Sequence, residues 1–108
     1  MTIDVFESDV RPDGHFGAVF ERDDETAYFY LLDLRRPTGQ QTVAAYCVAS
    51  AVAMPADVPA RVTWTSEGDM AGLFLDGWLI AVFDLVSAPE EYEGREARPD
   101  DRSRFLDG

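Results

Sequence analysis

Residues 61–85 have the hydrophobic pattern of three consecutive antiparallel strands joined by two tight turns. Val62 and Trp64 alternate with polar residues, which is typical of a strand with one buried face. A polar turn containing Gly68 follows, and this glycine can supply the positive φ that a chain reversal needs. The dipeptide Asp76-Gly77 then separates two apolar runs and favours a type I′ hairpin.

The two apolar runs beside this hairpin turn, 73–75 and 78–83, are hydrophobic on both strand faces. A small two-layer sheet would leave one of these faces in water. Either the rest of the chain covers the hairpin or another subunit covers it, so a homodimer is one of two expected solutions. Four apolar residues are expected to form the framework: Trp64, Leu73, Leu75 and Phe83.

More strands are predicted upstream. Residues 16–22 and 26–33 flank an acidic turn and are rich in aromatic and β-branched residues, so they predict a second hairpin. Residues 41–50 contain alanines that permit a helix, but their β-branched residues favour a strand, and residues 3–7 predict a short first strand. The predicted fold is all-β, with about seven mostly antiparallel strands in a sandwich or partly open barrel built from hairpins.

The length of 108 residues predicts a single globular domain, which we place at residues 1–86. Residues 87–108 contain few aliphatic side chains, two prolines and mixed charges, which predicts an acidic, loosely ordered tail. Tyr92, Phe105 and Leu106 offer the alternative that this segment anchors on the sheet or on a partner.

Candidate catalytic and metal-binding residues are few. Cys47 is the only cysteine and His15 the only histidine, so an intrachain disulfide is impossible and a zinc site lacks its usual ligands. The acidic turn Asp23, Asp24 and Glu25 lacks the spacing of a calcium-binding loop. We therefore predict no catalytic residue, metal or cofactor, and lean against an enzyme.

The formal net charge of −12 is mostly on the predicted domain. Residues 1–86 contain 14 acidic and five basic residues, whereas residues 87–108 contain seven and four. Such a surface repels nucleic acid and attracts a basic protein, and we expect Asp23, Asp24 and Glu25 to face that partner. No apolar run is long enough to span a membrane and no signal peptide is evident, so we expect a cytoplasmic protein.

Two segments carry a resemblance to a known family. DDETAYFYLLDL in the first half and VTWTSEGDMAGLFLDGWLIAVFDL in the second resemble a family of small bacterial proteins classed only as a domain of unknown function. The resemblance covers roughly residues 20–85, and Trp64 and Asp84 are its most recognisable positions. It implies a bacterial origin but no activity, substrate or site.

Three functional hypotheses follow from these patterns. The favoured one is a non-catalytic interaction protein, such as an immunity protein or antitoxin that binds a basic partner protein. The second is a small-molecule binding module with an aromatic cleft, and the third is an enzyme that uses paired carboxylates. The residues proposed for the cleft are Trp64, Trp78, Tyr28 and Tyr30, and those for the enzyme are Asp33, Asp76 and Asp84.

Overall fold

The computed structural model describes residues 5–22, 26–48, 59–85 and 93–106. These residues form eight strands and one short helix. In chain order they are β1 (Val5–Val10), β2 (Phe16–Arg22), β3 (Ala27–Asp33), β4 (Thr42–Cys47), β5 (Ala60–Trp64), β6 (Met70–Leu75), β7 (Trp78–Asp84), β8 (Gly94–Glu96) and α1 (Pro99–Leu106).

The strands form two four-stranded antiparallel sheets. Sheet A has the order β1-β2-β3-β4 and sheet B the order β5-β6-β7-β8, so every hydrogen-bonded neighbour is also a neighbour along the chain. The predicted all-β fold built from hairpins is confirmed, with eight strands where about seven were expected. Across the described residues the two sheets do not close into a continuous barrel.

The core lies between the inner faces of the sheets. In β3, buried and half-buried residues alternate strictly, so Phe29 and Leu31 face inward from sheet A. Phe83 of sheet B meets Phe29 with the ring centroids 4.9 Å apart. All four predicted framework residues are buried: Trp64, Leu73, Leu75 and Phe83.

The predicted turns are also confirmed. Asp76 and Gly77 have φ values of 52° and 82°, as a type I′ hairpin requires at both central positions. Asp76 is the one non-glycine residue with positive φ among the described residues, and aspartate tolerates this conformation better than most residues. Gly68 has a φ of 75° in the turn between β5 and β6.

Two seams join the sheets at their edges. At one seam β1 lies beside β5, where the Trp64 indole Nε1–H donates to the Asp9 backbone oxygen at 3.0 Å. The Trp64 backbone N–H donates to the Asp9 carboxylate at 3.1 Å. At the other seam β4 lies beside β8, where Gly94 packs against Tyr46.

Helix α1 packs on the outer face of sheet B over strand β6. All six residues of β6 are buried, because sheet A covers one face and α1 packs on the other. Phe105 meets Phe74 edge to face at 5.4 Å and lies directly over Gly72, where a β-carbon would come within 2.6 Å of the Phe105 ring. The chain thus supplies the second cover itself, which was one of the two predicted solutions.

The segment expected to be a loosely ordered tail therefore contains β8 and α1 in its described part. Phe105 anchors it on the sheet, as the alternative prediction proposed. The start of the helix is well specified, because Pro99 occupies its first position and the Arg98 backbone N–H donates to the Asp101 carboxylate at 2.7 Å.

Ion pairs hold α1 against sheet B. Arg95 of β8 donates to both Asp101 carboxylate oxygens, at 2.7 and 3.0 Å, and these hydrogen bonds lower the pKa of Asp101. Arg104 donates to Asp69 at 2.7 Å. Burial alone would raise the pKa of Asp69, but the hydrogen bonds from Thr65 and Arg104 outweigh it and lower the pKa. Asp84 lies within 3.7 Å of Arg95 and 3.5 Å of Arg104.

We expect Gly94→Ala to destabilise the fold, because its β-carbon would lie 2.7 Å from Tyr46 Cβ and 3.0 Å from the buried Phe83 ring. Overpacking of this kind costs about 1–3 kcal/mol of unfolding free energy, measurable by urea denaturation. Gly17→Ala is the matched control, since its nearest neighbour, Leu34, lies 3.6 Å away. A Gly94→Ala protein as stable as Gly17→Ala would contradict the packing at this seam.

We expect Asp101→Asn to lower the free energy of unfolding by about 1–3 kcal/mol, because the buried end of the Arg95 ion pair loses its charge. Asp100→Asn is the matched control, since Asp100 is exposed in the same helical turn. It should stay within about 0.5 kcal/mol of wild type.

The same pair makes a prediction about pH. The pKa of Asp101 in the folded protein lies below its ordinary value of 3.8, so the stabilisation is present above that value and is lost as the pH falls through the lowered pKa. Urea denaturation at pH 6 and at pH 3 should therefore show a smaller acid loss for Asp101→Asn than for wild type. An equal loss in both proteins would show that Asp101 does not contribute to the acid sensitivity.

Candidate functional site

The residues predicted to face a partner, Asp23, Asp24 and Glu25, lie outside the described residues, so their role stays a prediction. They belong to the connection between β2 and β3. Arg22 and Ala27, which flank this connection, are register partners at one end of sheet A.

The four aromatic residues proposed for a single cleft lie in three different places. Trp64 is buried between the sheets and bonded to Asp9. Tyr28 and Tyr30 stack on the outer face of sheet A with centroids 5.9 Å apart. Trp78 begins β7 in sheet B, where 67% of its surface is exposed. These four residues therefore do not line a common cleft.

The three aspartates proposed as paired carboxylates are also apart. Asp33 ends β3 in sheet A, where two hydrogen bonds from the Arg35 guanidinium lower its pKa. Asp76 precedes β7 and Asp84 ends it, which separates them by roughly 20 Å of extended strand. Asp33 lies beside Arg35, Asp84 lies beside Arg95 and Arg104, and Asp76 is exposed in a turn. The three carboxylates therefore do not form a pair in one pocket.

His15 and Cys47 lie towards opposite ends of sheet A. His15 precedes Phe16, which pairs with the last residue of β3, whereas Cys47 pairs with Tyr28 near the first. The His15 backbone N–H donates to Asp13 at 2.9 Å, and hydrogen bonds from Arg11 and His15 lower the pKa of Asp13 to about 2. Among the described residues, no group of histidine, cysteine and acidic side chains has the arrangement of a metal site.

A small polar pocket lies beside the turn between β5 and β6. It has a volume of about 190 Å³ and is lined by Thr65, Ser66, Glu67, Asp69 and Arg104. Its central groups bond to one another, because Asp69 accepts from the Thr65 hydroxyl at 2.5 Å and from Arg104. This network holds α1 in place. The polar atoms of Thr65, Asp69 and Arg104 are therefore already hydrogen-bonded within the protein.

The outer face of sheet A differs from every other surface described above. Its side chains fall in three rows across the four strands, which we call the open face. The rows are Phe6, Glu21, Tyr28 and Cys47; Ser8, Val19, Tyr30 and Ala45; and Val10, Gly17, Leu32 and Thr42.

The open face is apolar, aromatic and almost uncharged. Glu21 is the one charged residue in its three rows, in a chain whose net charge is −12. Phe6 and Val10 are 54% and 53% exposed, and no described helix or strand packs over the open face. Aromatic surface surrounded by charged residues is typical of a protein–protein interface.

The two stacked tyrosines were predicted as candidate binding residues, but the open face as a surface was not. The signal was present in AYFYLL, the first six residues of β3, where both alternating sets of residues are apolar or aromatic. The same double pattern drew attention to β6 and β7, whose outer face the helix covers. In β3 the second set forms part of the open face.

No helix in the described part of the chain has the length and apolar character needed to cross a membrane. No significant match to a solved structure is found.

Comparison with known proteins does identify the family. Residues 3–101 match the model of DUF2251, described as an uncharacterised protein conserved in bacteria. An uncharacterised protein of Haemophilus influenzae is 33% identical over 89 residues. The match covers 80% of this chain but 55% of that relative, so the chain spans about half of its length. With a family match over nearly the whole chain and a fold of two four-stranded sheets, this protein belongs to the DUF2251 family of uncharacterised bacterial proteins.

Proposed function

We propose that this protein is a non-catalytic interaction module that binds a basic partner protein through the open face of sheet A. The observation that carries the proposal is the contrast between this almost uncharged aromatic surface and the charge of −12 on the chain. In the bacterial cytoplasm such a module would act as an immunity protein or antitoxin that binds its basic target.

The side chains of the open face are suited to the centre of an interface. Stacked Tyr28 and Tyr30 present flat, rigid apolar area with hydroxyl groups at the edge, and tyrosine is enriched among residues that dominate binding energy. Phe6 and Val10 extend the apolar surface along β1. Burial of these residues by a partner would remove the largest exposed apolar side chains of sheet A from water.

One acidic residue lies within this surface. Glu21 belongs to the first row of the open face, whereas exposed Glu7 lies on the other face of β1, opposite buried Phe20. Asp23, Asp24 and Glu25 follow β2 directly in the sequence. Acidic residues within or near an apolar patch favour a basic partner and accelerate its association.

The rigid support of the open face suits recognition without chemistry. Sheet A is fixed from behind by the shared core and at both edges by the seams. A surface that is already ordered loses little conformational entropy on binding, which favours affinity.

The acidic residues of the β2–β3 connection are tested with two variants that remove equal charge. Asp23→Asn, Asp24→Asn and Glu25→Gln together should slow association with the basic partner by about threefold to tenfold at low salt, because electrostatic steering is weakened. Glu67→Gln, Asp76→Asn and Asp100→Asn together are the control, since these three acids are exposed elsewhere.

The experiment begins by capturing proteins from the native bacterial host on the immobilised chain, at low and at moderate salt. Association rates are then measured with the purified partner. Equal slowing by the two triple variants would show that association depends on net charge and not on the position of Asp23, Asp24 and Glu25. Recovery of no basic protein in either salt condition would contradict the proposal.

The exposed apolar side chains at the β1 side of the open face are tested by Phe6→Ser and Val10→Ser. Because both side chains are about half exposed, we expect the free energy of unfolding to change by less than about 1 kcal/mol. Partner binding should weaken at least about tenfold, as truncation of a buried interface anchor does. Unchanged affinity in the double variant would place the partner on another surface.

A further inference from the structure

A second surface feature lies on the opposite side of the molecule, on the outer face of sheet B. A cleft of about 330 Å³ opens between the beginning of β5, the β6–β7 turn and α1. Phe74 and Phe105 are its aromatic residues, and Arg61 and Arg102 contribute two guanidinium groups. This volume is at the lower end of the range of small-molecule sites, about 300–1,000 Å³.

The aromatic floor of the cleft is preformed. Phe74 is 7% exposed and meets Phe105 edge to face at 5.4 Å. Gly72 gives Phe105 the space for this approach, and the ion pair between Arg95 and Asp101 holds the helix that carries it. A ligand therefore meets a surface that is already in place, which reduces the entropy lost on binding.

The two arginines are held in a way that leaves their hydrogen-bond donors available. The Arg61 guanidinium lies over the Phe74 ring at 4.9 Å, and that of Arg102 lies over the Trp78 ring at 5.6 Å. A guanidinium held over an aromatic ring keeps its charge, and the ring occupies no N–H donor with an acceptor oxygen. These ring contacts therefore position both cations without neutralising them.

Neither arginine forms an ion pair with an acid in the described part of the chain. This is notable in a chain with 21 acidic and nine basic residues, where Arg11, Arg35 and Arg104 each bond to an aspartate. Two unpaired guanidinium groups beside one aromatic cleft form a local positive site on an acidic protein. Such a site attracts an anion against the overall charge.

Trp78 adds a further indication. It is 67% exposed, the highest value among the large apolar side chains described, and lies directly under Arg102. An exposed aromatic surface beside a cleft is typical of a ligand-binding groove.

We propose that this cleft binds a small organic anion that joins an oxyanion group, a carboxylate or a phosphate, to an apolar body. Arg61 and Arg102 bind the oxyanion through their N–H groups, because the guanidinium fork matches the oxygens of either group. Phe74 and Phe105 contact the apolar body. The site is distinct from the open face of sheet A, so either proposal can fail without the other.

The test uses three probes of similar size: 4-phenylbutyrate, phenyl phosphate and the neutral amide 4-phenylbutyramide. Binding is followed by backbone amide NMR signals of Gly77 and by the indole signal of Trp78. We expect at least one anion to bind, with the amide at least about tenfold weaker, because the charge-assisted hydrogen bonds are lost. Equal binding of amide and acids, or no change with either anion, would overturn the proposal.

Two variants test whether Arg61 and Arg102 supply the positive charge that binds the anion, and a third is their control. Arg61→Gln and Arg102→Gln should each weaken anion binding by about fivefold or more, as loss of one charge-assisted contact does. Arg98→Gln is the matched control, since Arg98 is exposed at the start of the same helix and does not line the cleft. Loss of affinity in Arg98→Gln equal to that in Arg61→Gln would overturn the proposal.

One more variant is expected to strengthen anion binding instead of weakening it. Asp76 immediately precedes Gly77 at the edge of the cleft, so Asp76→Asn should tighten anion binding and leave amide binding unchanged. Unshifted NMR signals of Gly94 and Trp64 would show that each variant keeps its fold. A weaker affinity of the anion for Asp76→Asn would contradict the assigned electrostatics.

Discussion

The two apolar faces of strand β6 are the constraint on which the rest of the structure depends. All of its residues from Met70 to Leu75 are buried, so the strand must be covered on both sides. Sheet A covers the inner side by contributing half of the core. The outer side needs α1, and α1 can approach only because Gly72 has no side chain at the point where Phe105 lies.

Because the outer side of β6 must be covered, α1 is attached to sheet B by both apolar contact and ion pairs. Among the described side chains of α1, Phe105 is the one whose aromatic ring packs against the sheet, and a helix of eight residues is too short to be stable without such packing. The ion pairs of Arg95 with Asp101 and of Arg104 with Asp69 add attachment on the same face. Since Asp101 also accepts the Arg98 backbone N–H, one carboxylate both starts the helix and fastens it.

Much of the fold was predictable because its turns and strand faces are determined by short stretches of sequence. The dipeptide Asp76-Gly77 specifies a hairpin, and the alternation from Val62 to Trp64 specifies which strand face is buried. Helix α1 was missed because its attachment is not local. Phe105 and Leu106 form an isolated apolar pair in a polar segment, and the space at Gly72 that receives Phe105 lies 33 positions earlier. A local indication did exist, since Pro99 with Asp101 two residues later is typical of a helix start.

The candidate surfaces were predictable only in part. Tyr28 and Tyr30 were recognised as candidates. Side-chain alternation along β3 places them on the outer face of sheet A, whereas Trp64 is buried between the sheets. The cleft beside Arg61 combines three elements that are distant in sequence, so no spacing could indicate it. The acids of the β2–β3 connection were singled out by composition alone.

The seams have a consequence for how other molecules can approach. Many peptides bind by extending a sheet with one more strand, which requires an outer strand with unoccupied backbone groups. Here each outer strand of one sheet lies alongside an outer strand of the other, and the Asp9 carboxylate accepts a hydrogen bond from the Trp64 backbone N–H. Recognition through side chains is therefore favoured over main-chain pairing, and the same cover of the outer strands opposes edge-to-edge association into fibres.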